Sequence, residues 1–336
     1  MSDKRLEDMV SKKLIISLLI IITIISFVFV YISFQHPVIG VLYEVGTRTL
    51  QGVEDAKSDS NSNIEIMTQT INNGDLEASL KKFVSNGIKI IIGPRSSTQA
   101  SSLIPLLEKY DLYAIAPAVT SPKVIGISKR FCTLGISDDL IVNAFAKEIA
   151  GDGITKVIIF KGTVNKLYND YFVELFSEQF IGDVLEVISV DDPFDTEIPL
   201  ETTIEADAAL MIMNPKKTAV MLKRLEKHMT GLKYYVGDYS LGTDFFEFGG
   251  QYVSKVKVGL AVSPGISAEE MVPNYIGGYE AFKVVEEIYE KNINPEEFFS
   301  SPDEYSFEGY ADIISFKADG SSNKSVRFFN PKPVGD

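Results

Sequence analysis

Short apolar runs rich in β-branched residues alternate with amphipathic stretches along most of the chain. Val38–Tyr43 reads as a strand, followed by a helix near Thr49–Lys57, a strand at Ile64–Met67 and a helix from Asp75 to Ser85. Ile88–Ile92 predicts the next strand, Thr98–Tyr110 a helix and Leu112–Ala116 another strand. Continuous apolar strands separated by helices are what a parallel sheet covered on both faces requires. The pattern restarts after Gly151-Asp152-Gly153, which reads as a helix-ending turn. Strands are predicted at Lys156–Phe160, Val184–Val190, Ala208–Met213 and Tyr234–Val236, with helices at Tyr168–Phe180 and Thr218–Met229. Phe131–Leu134 and Val256–Val262 are further apolar stretches without helices of their own. A long amphipathic helix, Tyr275–Tyr289, and the closing stretches Ala311–Phe316 and Ser325–Phe329 would complete a lobe and cross back between lobes. The expected fold is α/β, with two doubly wound parallel-sheet lobes.

Ahead of this pattern, residues 14–34 carry no charge. As a helix they would be about 31 Å long, enough to cross a bilayer. A cleaved signal peptide has a shorter apolar core and ends at a small-x-small site, whereas this run ends in Ser33-Phe34-Gln35-His36-Pro37. The expectation is therefore an uncleaved transmembrane signal anchor. Lys4, Arg5, Lys12 and Lys13 precede it, and the next basic residue is Arg48. The positive-inside rule then puts residues 1–13 in the cytoplasm and the rest outside the cell or in the periplasm. Thirteen residues leave no room for a signalling domain, so the chain alone is not expected to be a transmembrane sensor.

Composition narrows the chemistry. The chain has 336 residues with 32 Lys plus Arg against 46 Asp plus Glu, a net charge of −14. A nucleic-acid binder needs a basic face, so none is expected as a partner. One cysteine, Cys132, rules out an intramolecular disulfide and a cysteine-based zinc site. The two histidines, His36 and His228, form no zinc-binding spacing. Gly-x-Ser-x-Gly and P-loop motifs are absent from the sequence. No enzyme activity, catalytic residue, metal or cofactor is therefore expected, and ligand binding at the carboxyl ends of the strands is the function to test.

Two loops stand at such ends. Gly93-Pro94-Arg95-Ser96-Ser97-Thr98 follows a buried strand and opens a helix, so its hydroxyls and free N–H groups suit a carboxylate. The plainer reading is that Ser96 or Ser97 caps the helix. Ala116-Pro117-Ala118-Val119-Thr120-Ser121-Pro122 is the second loop. With Gly237-Asp238, Glu247-Phe248-Gly249-Gly250, Tyr279-Glu280-Ala281-Phe282 and Phe307-Glu308-Gly309, these pieces lie in an order and spacing that covers nearly all of residues 37–330. In this the chain resembles the type 1 periplasmic-binding-protein family, in particular the leucine/isoleucine/valine-binding proteins of ABC importers.

The resemblance implies two lobes joined by three crossovers that close on a small ligand. It implies lobe 1 over 35–134 plus 263–322 and lobe 2 over 135–262 plus 323–336. Carried over by position, Ser96, Ser97 and Thr120 would hold the ligand carboxylate, the Ala118 carbonyl and Asp238 would take the ammonium, and Tyr168 would cover the cleft. Asp238 has a plainer reading as a turn residue bonding its own backbone, and Tyr168 as an ordinary helix-face aromatic. The implied function is a membrane-anchored solute-binding protein that captures an amino acid of branched-chain type, or a similar small polar metabolite, for an ABC permease. The alternative is a sensing subunit that uses the same clamp to signal to a separate membrane partner. The chain departs from the family pattern in three places. Its first loop, Tyr43-Glu44-Val45-Gly46, is short; Asn214-Pro215 stands where an aromatic often lines the pocket; and Arg95 is atypical. Arg95 either sits at the surface or favours a more acidic ligand through a bidentate contact.

Overall fold

The computed structural model describes residues 20–23, 36–71, 75–229, 231–262, 273–310 and 312–331. The expected anchor at 14–34 lies outside the described residues apart from 20–23, which are helical. Among the described residues no helix is long and apolar enough to cross a membrane.

Two sheets carry the architecture. The first has five parallel strands in the order β2-β1-β3-β4-β5, formed by Val38–Tyr43 (β1), Glu65–Thr70 (β2), Ile90–Ile92 (β3), Tyr113–Ala116 (β4) and Phe131–Thr133 (β5). The second has the order β13-β10-β9-β8-β6-β7. It is formed by Lys156–Gly162 (β6), Asp183–Val190 (β7), Ala208–Ile212 (β8), Lys233–Gly237 (β9), Val256–Val262 (β10) and Ser325–Phe329 (β13). All its pairings are parallel except β13 on β10. Ser306–Glu308 (β11) and Ile313–Ser315 (β12) form a separate antiparallel pair. Strands β3, β4 and β8 are buried along their whole length, as a sheet clad on both faces demands. Each sheet accordingly has an apolar core on either face.

The chain moves from the first sheet to the second after β5 and re-enters the first lobe with the helix Pro273–Glu290, which packs on the helix Thr49–Ser60. Glycine makes that packing close. A Cβ on Gly52 would lie 2.0 Å from the Tyr275 carbonyl oxygen, and one on Gly278 would lie 2.2 Å from that of Thr49. The chain then returns to the second sheet through β13. Where the first and last connections run side by side, the Ser322 N–H donates to the Gly135 carbonyl at 3.0 Å and the Ser322 hydroxyl to that of Leu134 at 2.8 Å. Lys324 and Glu280 form a nearly buried ion pair beside them.

The helix Asp138–Gly151 is absent from the sequence expectation, which names only its closing turn. It starts at Ser137, whose hydroxyl accepts from the Asp139 N–H, and buries Ile141, Val142, Phe145, Ala146 and Ile149 on one face. Gly153, at φ +78°, takes the left-handed backbone after its end.

Candidate functional site

The carboxyl ends of both sheets face one another across a cleft, and loops from each meet there. From the first lobe come Arg95 and Ser96 after β3, Ala118 and Thr120 after β4, and Asn274 from the helix Pro273–Glu290; from the second come Asn165 and Tyr168 after β6, and Asp238 and Tyr239 after β9. Together they line an inner cavity of about 20 Å³. That is room for one or two waters or a group such as an ammonium.

Five of the six residues expected at the ligand therefore meet in one place: Ser96, Ala118, Thr120, Tyr168 and Asp238. Ser97 lies apart from the lining. Its buried hydroxyl accepts from the Ser121 N–H at 3.2 Å and so ties the two first-lobe loops together. Ser96 caps the helix Ser97–Tyr110 in a capping box with Gln99 while also lining the cavity, so the capping and ligand-facing positions coincide. Gly93 sets the entry to this loop. At φ +111° its hydrogen points where a Cβ would meet the Leu42 carbonyl oxygen at 2.4 Å.

The second-lobe side of the cavity is acidic and incompletely satisfied. Asp138 is fully buried at the start of its helix, and neither carboxylate oxygen has a hydrogen-bond partner among the described residues. Burial raises its pKa well above the usual aspartate value, the Asp238 charge pushes the same way, and the neighbouring Thr120 hydroxyl opposes them. Asp238 is also raised by burial, opposed by the Tyr239 N–H, which donates to it at 2.7 Å, and by the Arg95 charge. The part of its surface that remains open faces the cavity. The Tyr168 hydroxyl is buried without a partner, and its ring packs edge-on against Phe172 and Tyr239. A carboxyl whose folded pKa is raised binds its proton more tightly than in the unfolded chain. It stabilises the fold below the ordinary aspartate pKa, and that contribution is lost as pH rises toward the folded value. The Asp238 carboxylate and the orphaned Tyr168 hydroxyl in the lining, with the unpaired Asp138 carboxyl near them, thus leave the site short of a cation or a donor.

Contacts also cross the cleft. The N–H and hydroxyl of Thr98 donate to the Asn165 side-chain oxygen at 3.4 and 3.3 Å, and the Leu167 N–H donates to the Thr98 hydroxyl at 3.3 Å. Arg95 of the first lobe lies over the Tyr239 ring of the second, 5.4 Å from its centre. It is therefore no free surface residue, and its side chain is only 14% exposed. Asn165, Tyr239 and Asn274 line the cavity, and Asp138 lies near Thr120 and Asp238; the sequence reading names none of the four. Asp138 had a readable signal, an acidic residue directly after Ser137 at the first turn of an apolar-faced helix. Among the described residues no cluster of His, Cys, Asp and Glu could hold a metal ion. Asn214 caps the helix Pro215–His228 and lines the mouth of the cleft beside Phe194 of the same lobe.

No family profile matches this sequence, and neither does any curated protein. Solved structures do match by shape. A leucine-binding protein from Thermotoga maritima superposes with a TM-score of 0.73 at 16% identity, covering 89% of this chain and 96% of its own. The substrate-binding protein of a branched-chain amino-acid transporter from Streptococcus pneumoniae, in complex with isoleucine, gives 0.76 at 15% identity over 90% and 97%. An ABC-transporter solute-binding protein from Rhodopseudomonas palustris, in complex with 3,4-dihydroxybenzoic acid, gives 0.71 at 14% over 89% and 94%. These are solute-binding proteins, not enzymes, and the fold of this chain is that of a type 1 periplasmic binding protein.

Proposed function

We propose that this chain is the solute-binding protein of an ABC importer, taking an amino acid or similar small zwitterion between its two lobes and presenting it to a membrane permease. The observation that carries this reading is the convergence of polar groups from both lobes on one cavity, with the Asp238 carboxylate in its second-lobe wall and the buried, unpaired Asp138 carboxyl near it. An ammonium group donates to Asp238, with Asp138 near it, and to the Ala118 carbonyl oxygen. The N–H groups of the loops after β3 and β4, with the Ser96 and Thr120 hydroxyls, suit the ligand carboxylate. Ligand contacts to both lobes favour the closed arrangement over the open one. The uncharged run at residues 14–34, with its basic N-terminal flank, supports tethering of the chain to the outer face of the cell membrane.

The test is thermal unfolding of the detergent-solubilised full chain against a panel of L-amino acids, small amides and aromatic acids. A ligand present at about a hundred times its dissociation constant adds roughly 2.7 kcal/mol and raises the melting temperature. A flat panel with a folded protein would contradict the reading. Alkaline extraction of membranes checks the tether: the chain is expected to stay with the lipid, and release into the supernatant would oppose it.

A further inference from the structure

Arg95 stands between the inner cavity and a chamber of about 530 Å³ at the mouth of the cleft, and it lines both. Its Nε donates to the Asn274 side-chain oxygen at 2.6 Å, and a terminal nitrogen donates to Glu44 at 3.3 Å. A guanidinium has five N–H bonds, and among the described residues no other acceptor claims the remaining ones. The contact to Glu44 is longer than the ~2.8 Å usual for a charge-assisted bond, and Glu44 is held on its other oxygen by Gln99. Around the outer chamber, Arg48, Arg95, Lys216 and Lys217 face Asp191, Asp192 and Asp244. Asp191 is 91% exposed and leans on Lys217. Cations in the majority run against the trend of a chain with a net charge of −14.

We infer that Arg95 makes this site selective for α-amino acids with a second carboxylate, the ammonium lying in the inner cavity and the distal carboxylate on the Arg95 guanidinium. The inference rests on the solute-binding reading and narrows its ligand class. The inner cavity is small, so the side chain of an amino acid held there by its ammonium and α-carboxylate must pass Arg95 into the outer chamber. An aliphatic side chain there would leave a largely buried cation against apolar surface. A carboxylate instead pairs with the guanidinium fork. Glu44 marks the place such a carboxylate would compete for. Its loop follows β1 almost at once and brings this acid within reach of Arg95.

Titration calorimetry of the detergent-solubilised full chain with L-glutamate, L-aspartate and L-leucine tests this directly. One of the dicarboxylates is expected to bind at least about tenfold tighter than leucine, and Arg95→Gln to shrink that ratio by about tenfold or more. Glu44→Gln is expected to act in the opposite direction, tightening dicarboxylate binding several-fold by removing the internal competitor. It carries the test if the arginine variant fails to fold. Leucine binding as tightly as the dicarboxylates, or a ratio unmoved in Arg95→Gln with no gain in Glu44→Gln, overturns the selectivity while leaving the solute-binding reading in place. If none of the three binds and the wider panel is flat, both fall.

Discussion

Replacing Asp238 by Ala is expected to weaken amino-acid binding by about 30-fold to several thousandfold while the protein stays folded. The size follows from stranding a buried ammonium opposite an empty wall, which costs about 2–5 kcal/mol. Stability should hold or rise, because the carboxylate's hydrogen bond to the Tyr239 N–H sits among neighbours that leave it disfavoured in its charged form. Asp238→Asn separates charge from shape, since it keeps the volume and should lose nearly as much affinity. Unchanged affinity in both variants would remove Asp238 from the ammonium site. Loss of binding together with early melting would make it a structural residue.

Phe145→Ala is expected to be the most destabilising single change in the second lobe. Phe145 is fully buried and meets Phe172 and Phe328 edge-on, with ring centres 5.6 and 5.0 Å apart. Its ring fills the space that Gly259 leaves on β10, where a Cβ would lie 2.4 Å from it, and reaches toward Gly237 on β9. One side chain thus packs the helix Asp138–Gly151 against three strands, including β13, the last to join the sheet. Emptying such a site costs about 3–5 kcal/mol, which for a lobe of this size is a fall of roughly 6–20 °C in melting temperature. Calorimetry checks it, and a shift below about 3 °C would show that the space collapses without loss. Gly237 directly precedes Asp238, so ligand affinity should fall along with stability.

Most strands and helices of this fold were open to reading because parallel sheets clad on both faces leave unbroken apolar runs, such as Ile90–Ile92 and Ala208–Ile212; the antiparallel strand Ser306–Glu308 was not. The helix Asp138–Gly151 shows the apolar spacing of the others, with Ile141, Val142, Phe145, Ala146 and Ile149 on its buried face, and its period was equally legible. The short helices Leu200–Glu205, Thr243–Gly249 and Pro295–Ser300 are a different matter, being too brief to establish a period. At the site, the loops bearing Ser96 and Thr120 were legible because they follow strands, where an α/β sheet presents its ligand loops, while the ligand roles of Thr120 and Asp238 came from the family resemblance. The roles of Glu44, Asn165, Tyr239 and Asn274 come from the meeting of two lobes and of segments as far apart as Arg95 and Asn274. No local pattern encodes such a meeting. The two serines show the limit most plainly: adjacent in sequence and alike in chemistry, one faces the cavity and the other is spent on the Ser121 N–H.

In the proposed binding mode a ligand ammonium settles against carboxyl groups that burial has made reluctant to ionise. The most direct test is calorimetric titration of the full chain with its tightest-binding amino acid, at a pH about one unit above the ordinary aspartate value, in two buffers of different ionisation enthalpy. Without ligand, Asp138 and Asp238 hold their protons to higher pH than exposed aspartates do. An arriving cation stabilises the charged form and lowers the pKa, so protons leave as ligand binds. Proton release is expected on binding, and it should shrink in Asp138→Asn. Binding with no proton release, or with uptake, would contradict this binding mode.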